Sequence, residues 1–397
     1  MDKSHIEYEN AMGGAPAWAA RELDDSYAES QRKRGHIDLP FLILTLVILT
    51  VGVIMVLSAS FASAYYTYGD PTKYFSRQLI IAVSGVALMY ATSRFKVATL
   101  RRYSMLLLFV SVVLLAAVPF VGTVGGGSRR WFNLGFTTFQ PSEITKLAVV
   151  LAFAHMICAY KKKMLTFKYG IFPFVLIVGV IVGLLVLEPH LSASVIIIAL
   201  AAIMLFAGGV RLRWFVVGGL VVAAGAYLAV TKFGYAGTRI SAWQNPQADR
   251  LGSGYQILQS LYAVGSGGLT GLGLGQSRQK FLYLPEEHND YIFAVFCEEL
   301  GFIGAVLILL LFALLIIRGF WLALHARDRF GSLVVTGITS LLAIQVFLNI
   351  AVVTNLLPST GISLPFFSYG GTALWIQLIE MGIILSVSRD IPVTKAG

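Results

Sequence analysis

The feature that most constrains this chain is a succession of apolar runs, each close to the roughly 20 residues a helix needs to cross a bilayer. They fall near Leu39 to Ser60, Gln78 to Ser93, Tyr103 to Val121, Glu143 to Tyr160, Gly170 to Leu187, Leu191 to Gly208, Arg213 to Thr231, Tyr291 to Ile317, Gly331 to Asn355 and Phe366 to Ser388. Hydrocarbon offers the backbone no water, so every peptide group in such a run must be bonded internally. A helix achieves this alone, whereas barrel strands would show an apolar and polar alternation that these runs lack. The expected fold is all-α, a polytopic integral membrane protein with about ten transmembrane helices. Composition agrees: 57% of the residues are hydrophobic and 13% charged, too few polar groups for a surface that faces water.

Lys and Arg in short loops set the orientation. Arg94, Lys96, Arg101 and Arg102 belong on one side with Lys161, Lys162, Lys163 and Lys168, with Arg211 and Arg213, and with Arg318, Arg327 and Arg329. Arg32, Lys33 and Arg34 join them, so both termini are expected in the cytoplasm. Residues 1–36 read as a disordered cytoplasmic tail, 37–390 as the membrane domain and 391–397 as a short cytoplasmic tail. Three unusual segments then face outside: Gly122 to Ser142, the long loop 232–290, and Leu356 to Pro365. A loop of such length is usually functional. The net charge of +10 carries no basic block beside an aromatic platform, so it reads as topological and no nucleic-acid partner is expected. Cys158 and Cys297 lie in separate apolar stretches and suggest packing rather than a disulfide or a metal site. No repeat at a fixed period is present, and the two halves differ too much in polarity for an inverted-repeat transporter.

The outer segments carry the chemistry. The first, GTVGGGSRRWFNLGFTTFQPSEITK, offers Arg129 and Arg130 as a guanidinium pair for phosphate, with Trp131 at the interface. Glu143 and Lys146 follow at helical spacing, and Pro141 suits a helix start. An aromatic-belt Trp131 and a structural Glu143–Lys146 ion pair account for the same residues. In the long loop, Tyr255 to Val264 has the pattern of a short amphipathic helix lying on the membrane. Its glycines fit neither the Walker nor the GxGxxG spacing and read as turns that admit another backbone.

Glu286, Glu287, His288, Asn289 and Asp290 precede an apolar helix that contains Glu298 and Glu299. Carboxylates at or inside a bilayer are costly and mark functional sites, although Asp290 would also serve as a helix N-cap. Glu287, His288 and Asp290 lack an established ligand spacing, but a divalent ion beside a diphosphate fits the setting. The last outer turn, NLLPSTGISLPFFSYGGTALW, sets Ser368, Gly370 and Gly371 where the final helix begins, and such a start can offer free N–H groups to an anion or simply be a packed re-entrant turn. Glu380 lies deeper in that helix without an evident partner.

These segments together resemble the SEDS family (shape, elongation, division and sporulation) of cell-wall polymerases. SRRWFNLG with FQPSEITK, GYQILQSLYAVGSGGLTGLGLG, LPEEHNDYIFAVFCEELG and PSTGISLPFFSYGG occur in the family's order and spacing across about residues 39–390. Gln276 to Lys280 and Ser58, Ala59, Ser60 look more like the FtsW and SpoVE branches than RodA. One departure is plain. Where the family often has Gln-Pro-Asp-Leu-Gly-Thr, this chain has Glu188, Pro189, His190, Leu191, Ser192 and Ala193.

The resemblance implies a bacterial cytoplasmic (inner) membrane enzyme with its active site outside. Its reaction would be inverting glycosyl transfer between lipid II molecules, a septal peptidoglycan glycosyltransferase of cell division, with elongation and sporulation polymerases as the related roles. Asp290 matches the family's essential aspartate and is expected as general base. Arg129, Arg130, Trp131, Glu143, Lys146, Lys280, His288, Ser368, Gly370 and Gly371 are the expected substrate-binding residues, with Glu298 and Glu299 orienting or lining the cavity. No cofactor is assigned, and a Mg or Mn ion at the diphosphate is the alternative left open. A class B penicillin-binding protein and other divisome membrane proteins are the implied partners. A lipid II flippase or transporter is the competing reading, and a non-catalytic scaffold the third.

Overall fold

The computed structural model describes residues 35–391 except 126, 127, 134, 136, 137 and 233. The expected tails therefore lie outside the described residues, apart from Gly35, His36 and Ile391. Helix α1 (Leu39–Tyr68) starts where the Asp38 carboxylate accepts a hydrogen bond from Phe41 N at 2.9 Å, with proline in the first turn. It is followed by α2 (Lys73–Thr92), α3 (Val97–Val121), α4 (Pro141–Tyr160), α5 (Phe172–Leu187), α6 (Leu191–Ala207) and α7 (Arg213–Lys232). The long connection after α7 carries α8 (Gly234–Gln244) and α9 (Tyr255–Ser266), and α10 (Ile292–His325), α11 (Arg329–Val353) and α12 (Gly371–Ser388) follow.

Among the described residues eight helices are long and apolar enough to span a membrane, and Leu191–Ala207 and the apolar part of α7 add two shorter ones. The reading of about ten spans fits this arrangement. Helices α4, α11 and α12 form the buried centre, while α2, α3 and α5 show most of their side chains to lipid. At one end Gly35 N donates to Arg389 O (2.9 Å), and Arg318 grips Asp38 through two contacts of 3.1 and 2.6 Å. Arg329 reaches Gly208 O there at 3.3 Å. The cation-bearing loops that the charge pattern groups together thus meet at one end of the bundle.

The opposite end departs from the all-α expectation. Residues after α3 form a small antiparallel sheet, β1 (Thr123–Gly125), β2 (Ser128–Asn133) and β3 (Thr138–Phe139), in the order β1-β2-β3. Helix α9 matches the amphipathic stretch read from the sequence, but its apolar face meets protein. Ile257, Leu258 and Ala263 are buried against α10 and α11, and Ser260 Oγ donates to Val353 O at 2.8 Å.

The glycine-rich turns after α9 explain themselves by close approach. Gly301 breaks α10 at φ 66°, ψ −168°, which releases backbone groups from the helical ladder. The 268–273 segment takes them up: Leu272 N and Gly273 N donate to Glu298 O and Glu299 O at 3.0 Å each, and Phe302 N and Ile303 N donate to Gly268 O and Leu269 O at 2.9 and 3.1 Å. A Cβ at Gly271 would stand 2.1 Å from Glu299 O, so no other residue permits the contact.

Candidate active site

The end of the bundle opposite those cationic loops encloses a cavity of about 780 Å³, walled by β2 and β3, the starts of α4, α6 and α12, one side of α8, and the segments 286–291 and 359–364. Asp290 is on its wall, one residue before the first turn of α10. That helix is capped by Tyr291 with no side-chain bond, so the capping alternative for Asp290 falls away. The Asp290 backbone is clamped instead: Asn349 Nδ2 on α11 donates to Asp290 O at 2.8 Å and to Ile362 O at 2.7 Å. Its carboxylate accepts no hydrogen bond from the described residues. Burial, and then the negative charge of Glu286, raise its pKa to about 6, while Arg239, Arg130 and His288 pull the other way. A carboxylate held this way is a base with a free lone pair facing a cavity.

Gly361 is pressed against that group. It has φ +69°, and a Cβ there would meet Asp290 Oδ2 at 3.1 Å. The loop that carries it is tied to α6 by a hydrogen bond from Ser192 Oγ to Thr360 O, and to α8 by one from Arg239 to Ser359 O.

Positive charge faces the cavity from several elements. Lys146 in α4 is 3% exposed and paired with Glu143 at 2.8 Å, and both line the wall. Glu380 on α12 interacts electrostatically with this pair, which supplies the neighbour that its sequence context left open. Arg130 lines the cavity and donates to the backbone carbonyls of Glu188 and Pro189. Arg129 does not accompany it. Arg129 instead donates to Pro119 O at 3.3 Å and is not on the wall, so of the expected guanidinium pair Arg130 alone faces the cavity. Trp131, two residues along from Arg129 in β2, also lines the wall.

The start of α12 also faces the cavity. Gly370, Gly371, Thr372 and Ala373 line the cavity, and no side chain caps the helix. Ser368 is on the same wall but is committed, donating to Asn289 O and accepting from Leu364 N at 2.7 Å each. His288 stands behind the wall rather than on it. Its ring packs on Tyr74 and Tyr369, with centroids 4.5 and 5.8 Å away, and its Nδ1 lies 3.2 Å from Glu287 Oε1. These contacts order the segment before Asp290.

Lys280, Glu298 and Glu299 form a separate buried cluster. They do not line the cavity. Lys280 Nζ, 2% exposed, is neutralised by Glu299 at 2.8 Å and bonded to Gly275 O (2.7 Å) and Ser58 Oγ (3.2 Å). Glu298 accepts from Arg278 N and Gln279 N at 3.1 and 3.2 Å and from the Ser277 hydroxyl. A lysine whose charge is already matched in the interior has none left for a diphosphate. This cluster fastens the outer loop to α10 and α1.

Arg239, Arg77, Tyr68, Tyr74, His190, Gln345 and Gln377 also line the cavity and were not singled out for it from the sequence. Arg239 had a findable signal, being an arginine in a short polar helix within a loop already expected to face outside. Among the described residues no cluster of three or more His, Cys, Asp or Glu is placed to hold a metal ion.

The cell cycle protein family model that spans FtsW, RodA and SpoVE matches residues 39–391. Stage V sporulation protein E of Bacillus subtilis (strain 168) is 45% identical over 90% of this chain and 98% of its own length. A probable peptidoglycan glycosyltransferase FtsW of Trichlorobacter lovleyi is 39% identical, covering 89% of this chain and 93% of that one. These values leave the division and sporulation branches undivided, where the expected role was division first. A chain from a solved structure, on the structural coordination of polymerization and crosslinking by a peptidoglycan synthase complex, superposes with a TM-score of 0.76 at 29% identity, covering 89% of this chain and 98% of its own. In fold, motif order and full-length similarity, this multi-pass membrane protein belongs to the FtsW/RodA/SpoVE family, the SEDS proteins.

Proposed function

We propose that the chain is a peptidoglycan glycosyltransferase that polymerises lipid II in the outer cavity, with Asp290 as general base. The observation that carries this reading is the free Asp290 carboxylate sharing one cavity wall with Arg130, Lys146, Arg239 and the uncapped start of α12. Diphosphate is a good leaving group, so the reaction needs one base and an anion-stabilising environment rather than two catalytic carboxylates. Asp290 takes the proton of the acceptor's 4-hydroxyl as that oxygen bonds to the anomeric carbon of the donor. The bond to the diphosphate breaks, and its electron pair leaves with undecaprenyl diphosphate towards the cations and the α12 N–H groups. Attack from the face opposite the leaving group inverts the anomeric centre.

The grouped cationic loops support cytoplasmic termini and an outward cavity. A divalent ion would enter as the diphosphate's companion, held mainly by phosphate oxygens and water. The synthase complex among the structural neighbours supports a class B penicillin-binding protein as partner, and the FtsW and SpoVE relatives support work within a division or sporulation assembly. Incubating the purified chain and its penicillin-binding protein with lipid II should yield glycan strands resolvable by gel. A folded, partner-bound chain that leaves lipid II unchanged would remove the reading.

A further inference from the structure

The cavity wall holds polar side chains that the proposed mechanism does not use. His190 is 7% exposed and lines the cavity immediately before α6, yet its Nδ1 has no hydrogen-bond partner among the described residues. Thr360 lines the same cavity and its Oγ1 is likewise buried without a partner. The two are held near each other because Ser192 Oγ, two residues past His190, donates to Thr360 O. Thr360 also adjoins Gly361, the residue that abuts Asp290 Oδ2. Glu188, two residues before His190, is also buried and has an Oε1 without a partner. Buried polar atoms left unpaired are uncommon and costly, and such a group in a cavity wall points to a ligand that completes it.

Charge separates this patch from the anion-binding side. Burial first, then Arg130 and Lys146, drive the His190 pKa down to about 3, so the imidazole is neutral and offers one donor and one acceptor. Burial raises Glu188 to about 8, which keeps that carboxyl protonated at neutral pH despite Arg130. An aspartate in place of His190, as in the pattern from which this chain departs, would set a negative charge beside the cations meant for the diphosphate. The histidine adds hydrogen-bonding capacity without that competition.

We propose that His190 and Thr360 form an uncharged subsite that hydrogen-bonds a hydroxyl or amide of the substrate's sugar, leaving the diphosphate to Arg130, Lys146 and the start of α12. The subsite rests on the polymerase reading, and it distinguishes a sugar-bearing lipid from the bare lipid diphosphate. The full chain in nanodiscs, with its penicillin-binding protein, is titrated with lipid II and separately with undecaprenyl diphosphate. His190→Ala should weaken lipid II binding about tenfold, the factor a well-made neutral hydrogen bond carries, with undecaprenyl diphosphate binding unchanged. Arg130→Ala should weaken both. Thr360→Val removes an orphan hydroxyl at nearly constant volume, should show the same selective loss, and decides the matter where His190→Ala fails to fold. Equal effects on the two lipids, or none on either, from folded His190→Ala and Thr360→Val would overturn the subsite. A wild-type chain that binds undecaprenyl diphosphate and polymerises lipid II while these variants keep wild-type selectivity would sink the subsite alone. A wild type that binds neither lipid would remove the polymerase reading and the subsite with it.

Discussion

At the residue scale the account turns on one carboxylate. Asp290 is raised to about 6 because burial disfavours its charge and Glu286 adds to that effect. The base form is the ionised one, so activity should be full above this value and fall as pH drops through about 6. His190, near 3, and Glu188, near 8, titrate outside that window. A kcat/KM profile between pH 5 and 7.5 checks the assignment, and a flat profile would contradict it. Glu286→Gln removes the negative charge that raises Asp290 and should move the acid limb to lower pH. A limb that stays in place would show that Glu286 does not act on the base. That the segment ending in Asp290 belongs to a site wall was legible from carboxylates set just before an apolar helix, while the base role came from the resemblance. That Arg129 and Arg130 part company was not, because nothing in the loop's composition announced the small sheet that carries them.

At the scale of elements, two loops position the site without entering the chemistry. The 359–364 segment holds Gly361 at φ +69° against Asp290. Gly361→Ala adds left-handed strain of about 1–2 kcal/mol and a Cβ that presses on the base. It should lower the melting temperature modestly and turnover much more, measured by thermal unfolding beside the polymerisation rate; equal losses would reduce Gly361 to a folding residue. The 268–281 segment is fastened by Lys280 to Glu299 and Ser58, and by Glu298 to the backbone around Arg278. Lys280→Met leaves Glu299 buried without its cation, a change worth about 3–5 kcal/mol in comparable buried pairs. The double variant Lys280→Met, Glu299→Gln should recover much of the lost melting temperature, and absence of recovery would deny the pair this role. The sequence showed these acids to be costly and hence purposeful. It did not show that Glu299's partner was a lysine some twenty residues earlier, because the break at Gly301 that exposes the α10 backbone to the loop depends on tertiary contact.

For the whole molecule, the sequence pattern reaches far because the bilayer demands so much. Long apolar runs and cationic loops predict the spans and bring the Arg389, Arg318 and Arg329 ends together, as the hydrogen bonds there show. The outer segments obey no such demand. The β1-β2-β3 sheet, the docking of α9 on α10 and the convergence of Arg239, Lys146 and Asp290 on one cavity follow from packing between distant segments. The central claim is that this outward cavity joins sugars, with Asp290 removing the proton. Its most direct test is lipid II polymerisation in proteoliposomes by the chain with its penicillin-binding protein, comparing wild type with Asp290→Asn at matched folded yield and measured lipid II binding. The account predicts glycan strands from wild type, and from Asp290→Asn a rate lower by about 10² to 10⁴ with binding retained. Equal polymer from both would contradict Asp290 as base, and no polymer from either, with labelled lipid II crossing the bilayer in both, would make the cavity part of a transport route instead.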